Sequence, residues 1–303
     1  MALNVPLTPA RRAILVAGVP LALALTAFLV FQWGHAALKV LASGDQRGYP
    51  VTFTAPLSGG QSELTVNNAD ISLQPGGGSQ IQVSGSLDGA IVPPLFQRQE
   101  TRHGLVLSPH CAVPVGNCSL SLHAGVPAQL PVTATANGGN ISAAGLTGDE
   151  TLRANSGNLT ATGLGGSVYL NDQFGELNAT SLSGDIQILS TSGDITASGL
   201  TGNTRLQDNF GNITVTGLAA GDVRASDVNG DILLVFSKIP RHVSVTDSFG
   251  NITLELPRGP AAYRVRAPTP LYGSRTVTVP QSPSSHNVIT AQNSNGDITI
   301  TSR

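Results

Sequence analysis

An internal repeat of eighteen residues constrains this sequence more than any other feature. Glycine recurs at every ninth position from Gly139 to Gly211. Three aliphatic columns and one column of small residues keep the longer, eighteen-residue step. They are Ile141, Leu159, Leu177, Ile195 and Ile213; Leu146, Leu164, Leu182, Leu200 and Leu218; Leu152, Leu170, Ile188 and Leu206; and Ala143, Ala161, Ala179, Ala197 and Val215. Since one such unit is too small to bury its own apolar side, stacked units must share an interior. The repeat therefore predicts an all-β, single-stranded β-solenoid with eighteen residues per coil over residues 138–257.

A second rhythm of thirty-six residues overlies the first. Phe174, Phe210 and, after single-residue slips, Phe249 each stand in an Asp-x-Phe-Gly sequence, and small polar residues occupy the same site in the intervening units. Alternating large and small residues interdigitate well, so we expect the rings to pack along one corner of the coil. An exposed aromatic platform for a ligand is the alternative.

Residues 1–43 differ in composition from the remainder. Arg11 and Arg12 precede an uncharged apolar run, Ala13 to Gly34. At ~1.5 Å per residue, such a run matches the ~30 Å hydrocarbon core of a bilayer. We expect a transmembrane signal-anchor helix over 13–34, with residues 1–12 in the cytoplasm and the bulk extracytoplasmic at the cell membrane. Cleavage as a secretory signal, which would make the protein secreted, is the alternative.

The remaining segments flank the repeat. We expect a linker over 35–48, an irregular β cap over 49–137, and a C-terminal irregular segment with a closing rung over 258–303. Cys111 and Cys118 are the only cysteines, and Pro114 and Gly116 between them can turn the chain back. In an oxidising compartment this spacing predicts a disulfide within the cap. A zinc site would need two further ligands, and only His110 and His123 lie nearby.

Several classes of function find little support in the residues. A net charge of −2 gives no reason to expect nucleic-acid binding. Four aspartates, Asp172, Asp208, Asp227 and Asp247, align at one corner but belong to the repeat, whereas a catalytic site normally interrupts a periodic pattern. The Gly-Asp and Gly-Asn steps lack the Gly-Gly-x-Gly-x-Asp spacing of calcium-binding repeats, and turn chemistry explains them. We expect no enzyme, no catalytic or metal site and no cofactor.

Outward hydroxyl groups form the one candidate ligand surface. Alternation along the predicted strands places a double ladder outside the coil, which we call the Thr ladder: Thr160, Thr162, Thr180, Thr196, Thr214 and Thr216. A flat array of hydroxyls suits a repetitive ligand such as a glycan. Threonine is also a favoured exposed strand residue, and both interpretations stay open.

Four features together carry a resemblance to a known family. They are the cysteine pair, the stretch 126–135, the run of Gly-Asn/Asp-Ile-Thr units, and the closing stretch 287–300. Over residues 50–303 the chain resembles the bacterial "putative adhesin" family of β-strand-repeat envelope proteins of unknown function. The resemblance implies a β-helix-like fold of right hand, although the left-handed hexapeptide type uses a coil of the same length. It defines no catalytic or ligand residue that can be carried over.

These observations predict a non-enzymatic, membrane-anchored extracytoplasmic β-solenoid that acts as a surface scaffold or interaction module. Its expected partners are the membrane, through the N-terminal helix, and a cell-wall glycan or another envelope protein. One alternative is an envelope-stress or signalling accessory that senses a wall or glycan ligand. A further alternative is a bactofilin-like polymer of solenoids stacked end to end.

Overall fold

The computed structural model of the protein describes residues 49–56, 62–76, 80–88, 95–100, 104–110 and 119–303. All of them belong to one compact unit, Gly48–Arg303. No helix in these ranges is long and apolar enough to cross a membrane. The expected anchor over 13–34, the linker over 35–48, and Cys111 and Cys118 with their expected disulfide lie outside the described residues.

Twenty-five strands make up the regular structure of the described residues. The first twelve are β1 (Tyr49–Pro56), β2 (Ser62–Val66), β3 (Ala69–Pro75), β4 (Gln80–Asp88), β5 (Leu95–Glu100), β6 (Gly104–His110), β7 (Ser119–Val126), β8 (Val132–Ala136), β9 (Ile141–Ala144), β10 (Glu150–Ala154), β11 (Leu159–Thr162) and β12 (Ser167–Phe174). The others are β13 (Leu177–Thr180), β14 (Ser183–Ser192), β15 (Ile195–Ser198), β16 (Thr201–Gln207), β17 (Ile213–Leu218), β18 (Asp222–Ser226), β19 (Ile232–Phe236), β20 (His242–Phe249), β21 (Ile252–Leu256), β22 (Arg264–Arg266), β23 (Arg275–Val277), β24 (Val288–Asn295) and β25 (Ile298–Ser302).

Successive coils stack into two sheets, which confirms the predicted all-β solenoid. From β8 to β21 each coil contributes one strand to a 12-stranded sheet and the next strand to a 13-stranded sheet. All strands in this part pair in parallel, and in the regular repeat each residue faces the one eighteen positions on: Leu159 pairs with Leu177, and Leu177 with Ile195. The predicted aliphatic columns lie between the sheets, where every member is buried.

In the regular coils from β8 to β20, the corner after each strand of the 12-stranded sheet carries a glycine at the closest approach of neighbouring coils. Gly193 has a φ of 139°, and a Cβ atom there would overlap the carbonyl oxygen of Gly175 in the preceding coil. Any larger residue would push neighbouring coils apart at this point. The nine-residue glycine period therefore records where the backbones of stacked coils come closest.

Both ends of the stack depart from sequence order. At one end β6 and β7 lie beyond β2 and β3, and the outermost strands β1, β4 and β5 pair in antiparallel fashion. At the other end β24 and β25 are inserted between the coil of β20 and β21 and the short strands β22 and β23. The last strand of the chain, which we expected to form the closing rung, thus lies one coil inside the end: Ile298 and Ile300 pair with β21 on one side and with β23 on the other.

Candidate functional site

Three outward-facing columns run side by side at the corner where the chain leaves the 12-stranded sheet and enters the 13-stranded sheet. They occupy alternate positions of each coil, as in Phe210, Asn212 and Thr214. Parallel stacking aligns each position with its counterpart in the next coil, so every column continues from coil to coil. The corner therefore presents a repeated set of three side chains rather than one isolated site.

The six predicted threonines lie together on the outer face of the 13-stranded sheet. Thr160, Thr196 and Thr214 share one column, in which Asn178 fills the coil between the first two. Thr162, Thr180 and Thr216 share the second column, together with Ser198. All six are exposed except Thr214, which is half-buried. The structure thus brings the six predicted threonines together on one outer face, with the amide of Asn178 between Thr160 and Thr196.

Beside the first threonine column runs a ladder of side-chain amides and carboxylates that links each coil to the next. We call it the Asx ladder: Asp194, Asn212, Asp231, Asn251 and Asp297. The Oδ1 atom of each member accepts a hydrogen bond from the backbone N–H of the next, at 2.7–2.9 Å. Only an acceptor oxygen is needed for this bond, which explains why Asn and Asp exchange freely at the position.

Asp and Asn alternate from Asp194 to Asp297, although the same column continues in the preceding coils as Asn140, Asn158 and Glu176, which do not alternate. The Nδ2 atom of Asn212 donates to Oδ1 of Asp194 at 3.2 Å, and that of Asn251 donates to Oδ1 of Asp231 at 3.1 Å. An amide between two carboxylates adds a donor and, from Asp194 to Asp297, keeps like charges two coils apart. Among the described residues, no group of three or more His, Cys, Asp or Glu side chains is arranged to hold a metal ion.

A shallow open groove lies between the Asx ladder and the first threonine column. Thr196, Thr214, Thr253 and Thr299 line one side, and the Asx ladder lines the other. The column is interrupted by Leu233, which also lines the groove. Hydroxyl, amide and carboxylate groups therefore follow the groove across five coils.

An aromatic stripe lies on the other side of the Asx ladder. Phe174, Phe210 and Phe249 are 60 %, 58 % and 56 % exposed, so the expected packing of these rings into the corner is not observed. Bridges through Asn229 and Asn295 extend the column to Tyr272, which is 70 % exposed. We define the aromatic stripe as Phe174, Phe210, Phe249 and Tyr272. Sequence periodicity did not identify Tyr272, because it belongs to the end coil that lies outside the repeat.

The predicted row of aspartates does align, but inside the coil. Asp172, Asp208, Asp227 and Asp247 are at most 4 % exposed. In Asp208, Asp227 and Asp247 the Oδ1 atom accepts the backbone N–H of the following residue at 2.6–2.7 Å. No Oδ2 atom of the four has a hydrogen-bond partner in the described structure. These carboxyl groups therefore do not reach the outer surface.

Burial dominates the electrostatics of this aspartate column. It raises the pKa of Asp172, Asp227 and Asp247 to about 6 and also raises that of Asp208. Neighbouring backbone amides partly offset the effect. In the next coil, Asn293 takes the same column position, and its Nδ2 atom donates to the carbonyl oxygen of Gly250 at 2.7 Å. A protonated aspartate resembles this amide, since both carry an acceptor and a donor.

Glu150 is a buried carboxyl that sequence reasoning missed. It lies between Val132 and Val168 in an apolar column, and neither of its carboxyl oxygens has a partner in the described structure. Burial, with a smaller contribution from Asp149, raises the pKa of Glu150 to about 8. The repeat could have identified Glu150, because it places apolar residues at the corresponding sites of the next two coils and so predicts an inward-facing side chain here.

Comparison with known proteins gives a family match over more than half of the chain. The family model described as Toastrack DUF4097 matches residues 126–302. No curated protein matches the chain in sequence.

Three solved structures share 10–16 % identity with the chain. A putative adhesin from Bacteroides fragilis has 16 % identity and a TM-score of 0.42, covering 84 % of this chain and 97 % of its own. A putative lipid binding protein from Parabacteroides distasonis has 13 % identity and a TM-score of 0.39, covering 85 % and 98 %. A putative cell adhesion protein from Clostridium sporogenes has 10 % identity and a TM-score of 0.26, covering 85 % and 100 %. Since every TM-score is below 0.5, these likenesses do not bear on function.

Proposed function

Because the chain belongs to the Toastrack DUF4097 family, we propose that it is a non-enzymatic interaction module of the cell envelope that holds a wall glycan on its outer surface. Membership confirms the family resemblance carried by the sequence motifs. A fold alone does not define a function, so the proposal rests on the surface of the coil.

The mostly polar groove is the observation that carries this proposal. On four of its five stacked coils a threonine, Thr196, Thr214, Thr253 or Thr299, faces the Asx ladder, and Leu233 takes that place on the coil of Asp231. Sugars present hydroxyl groups that both donate and accept hydrogen bonds, and threonine, asparagine and aspartate side chains match both roles. A repeating row of such groups binds a polymer better than a single small molecule, because each further sugar adds contacts of the same kind.

The negative charge of the groove favours an uncharged glycan as the ligand. Asp194, Asp231 and Asp297 are exposed along the groove. The pKa of Asp297 is lowered by hydrogen bonds from the backbone N–H and side chain of Ser274, so this carboxylate is ionised at neutral pH. Like-charge repulsion then disfavours an anionic polymer at this face.

Anchoring completes the proposed role. In this proposal the apolar run Ala13 to Gly34 crosses the membrane, with Arg11 and Arg12 inside the cell, and presents the solenoid to the wall. A module of this kind acts as an adhesive scaffold and needs no catalytic group.

Glycan binding by the full chain tests the proposal. The protein, purified in a sugar-free detergent, is screened against immobilised neutral and anionic wall glycans. The triple variant Thr196→Ala, Thr214→Ala, Thr253→Ala should lose most of the binding to neutral glycans. A matched variant, Thr133→Ala, Thr151→Ala, Thr290→Ala, changes outward threonines of the 12-stranded sheet and should bind as the wild type does. Equal binding by both variants, or no binding by the wild type, would refute the proposal.

A further inference from the structure

We propose that the aromatic stripe is a stacking platform for a neutral β-1,4-linked glycan chain, read at one disaccharide per two coils. The inference rests on the proposed function and specifies its ligand. It adds a role for Phe174, Phe210, Phe249 and Tyr272, none of which takes part in the polar groove.

Exposure of the rings is the first observation. Each is more than half exposed although the interior nearby is densely packed. A large aromatic side chain left in water at one coil is common, but four in a single line are an apolar feature that a soluble surface rarely retains. The residues between them, Ser192, Asn229 and Asn295, are small and polar, so the rings stand apart.

The spacing of the rings is the second observation. Neighbouring strands lie about 4.8 Å apart, so rings on alternate coils repeat about every 10 Å. In an extended β-1,4-linked chain successive sugars alternate in orientation, and the disaccharide repeats over nearly the same length. Every second sugar can therefore lay the same apolar C–H face on a ring. The seven coils from Phe174 to Tyr272 accommodate about six sugars at this spacing.

The Asx ladder has the same two-coil period, and this is the third observation. Coils that carry a ring have Glu176, Asn212, Asn251 or Ser274 at the adjacent ladder position. Coils between the rings carry Asp194, Asp231 or Asp297. From Asp194 to Tyr272, one coil with a carboxylate and one coil with a ring thus form a unit that repeats three times, whereas the coil of Phe174 carries the carboxylate Glu176. A ligand with two chemically distinct positions per repeat fits this unit better than a uniform surface does.

Tyr272 extends the pattern across a break in the sequence repeat. Tyr272 belongs to the end coil, which the chain forms out of sequence order. This coil nevertheless lies two coils beyond that of Phe249, so the two-coil spacing of the rings is maintained. An aromatic side chain at that coil is not a product of the eighteen-residue repeat. Its position indicates that the spacing of the rings matters, rather than the repetition of one sequence unit.

A second copy of the chain fits the stripe less well than a glycan does. Four partly exposed rings in single file offer roughly 400–600 Å² of apolar surface, below the roughly 800 Å² that each partner of a stable dimer buries. The neighbouring carboxylates Asp194, Asp231 and Asp297 would also face one another in a symmetric pair. The uncharged sugar chain avoids both problems.

Oligomers of β-1,4-linked N-acetylglucosamine test the inference with the full chain in a sugar-free detergent. Affinity should rise in steps of two sugars up to about six, and α-linked glucose oligomers should bind weakly. The variant Phe210→Ala should lose about two- to tenfold in affinity, while Phe210→Trp retains it. The control Ile239→Ala removes an exposed apolar side chain outside the stripe and should have no effect.

A variant with the same composition distinguishes an effect of ring spacing from nonspecific binding to exposed apolar surface. The double variant Ser192→Phe, Phe210→Ser keeps the number of rings at four. It places two rings on neighbouring coils, at 174 and 192, and the next ring, Phe249, is then three coils away from residue 192. It should bind as weakly as Phe210→Ser alone; binding equal to the wild type would overturn the inference. If neutral glycans bind but ring removal has no effect, this inference fails while the proposed function stands. If rings instead govern concentration-dependent self-association in sedimentation and no sugar binds, a second copy is the occupant and both proposals fail.

Discussion

Buried carboxyl groups at single positions make the stability of this fold depend on pH. Asp227 lies between Asp208 and Asp247 in consecutive coils, and its Oδ2 atom has no partner in the described structure. Burial raises its pKa from 3.8 to about 6, the amide of Val228 partly offsets this, and the two neighbouring carboxylates add to it. Between pH 3.8 and about pH 6, Asp227 is therefore protonated in the folded state and ionised in the unfolded chain. The resulting stability is present below about pH 3.8 and is lost as the pH rises through about 6.

Substitution of Asp227 by asparagine should raise the free energy of unfolding at pH 7.5 by roughly 3 kcal/mol. The amide keeps an oxygen for Val228 and can donate Nδ2 to the carbonyl of Gly211, as Asn293 donates to Gly250. Denaturant unfolding at pH 4, 6 and 7.5 measures the effect, and the advantage of the variant should vanish near pH 4.

The exposed ladder residue Asp194 provides the control for this prediction. Asp194→Asn keeps the Oδ1 acceptor at a solvated position and should show no comparable gain at pH 7.5. A variant Asp227→Asn that is no more stable than the wild type at pH 7.5 would contradict the burial of a charged group as the cause.

At the scale of the strand and corner, the sequence predicted most of the regular coil because each aliphatic column must face the interior. Ile195 and Ala197 lie inside and Thr196 outside, as alternation requires. Exposure of Phe210 was not predictable in the same way. Its site lies at a corner, where strand alternation no longer determines whether a side chain points inward, and the period specifies only that like residues stack.

Charge alternation along the Asx ladder belongs to this scale and can be tested at Asn212. Asn212→Asp keeps the acceptor for the backbone N–H of Asp231 but loses the donor to Asp194. It also joins Glu176, Asp194 and Asp231 into a row of four carboxylates on neighbouring coils. We expect a loss of about 1 kcal/mol at low ionic strength that shrinks in 1 M salt. Thermal unfolding at both salt concentrations measures this.

An alanine at the same position distinguishes repulsion from the missing hydrogen bond. Asn212→Ala removes the acceptor altogether and should destabilise by about 1 kcal/mol at either salt concentration. If Asn212→Asp behaves like the alanine variant in its response to salt, the alternation of Asp and Asn has no electrostatic basis.

At the scale of the whole solenoid, the two ends are where sequence periodicity fails. Ile71 pairs with Ile141, seventy positions away, and Ile252 pairs with Ile298, forty-six positions away. Neither separation is a multiple of eighteen, so the eighteen-residue period alone does not show which strands are neighbours at the ends. Long excursions of the chain build the end coils, and the result is that short or antiparallel strands, rather than regular coils, form the outer edges.

Covered ends bear directly on the expected alternative of end-to-end polymers. A regular coil left at the end would expose strands β24 and β25, of eight and five residues, to pairing with another chain. Strands β22 and β23, of three residues each, offer much less edge. The structure therefore favours a module that does not extend itself by stacking.

Removal of the C-terminal end coil should convert the protein into a dimer. The regular connection from β19 to β20 is Ser237–Arg241, and a copy of it can replace residues 257–287 between β21 and β24. The backbone N–H of Val288 already donates to the carbonyl oxygen of Arg241, just as the N–H of His242 donates to the carbonyl oxygen of Gly221 one coil earlier. The shortened loop is therefore compatible with the stacking of the coils. The newly exposed edges should then pair about a twofold axis, and association should stop at two chains because the opposite end stays covered.

Sedimentation velocity over a range of concentrations measures the dimer. A second version of the shortened chain with Thr290→Lys and Thr299→Lys places charges on the two exposed strands and should remain a monomer, since charged side chains on an edge strand hinder pairing. If the shortened chain folds, as judged by its circular dichroism, and is a monomer without the lysines, then the end coil does not protect the edge. Filaments instead of dimers would show that the antiparallel strands at the opposite end do not block stacking either.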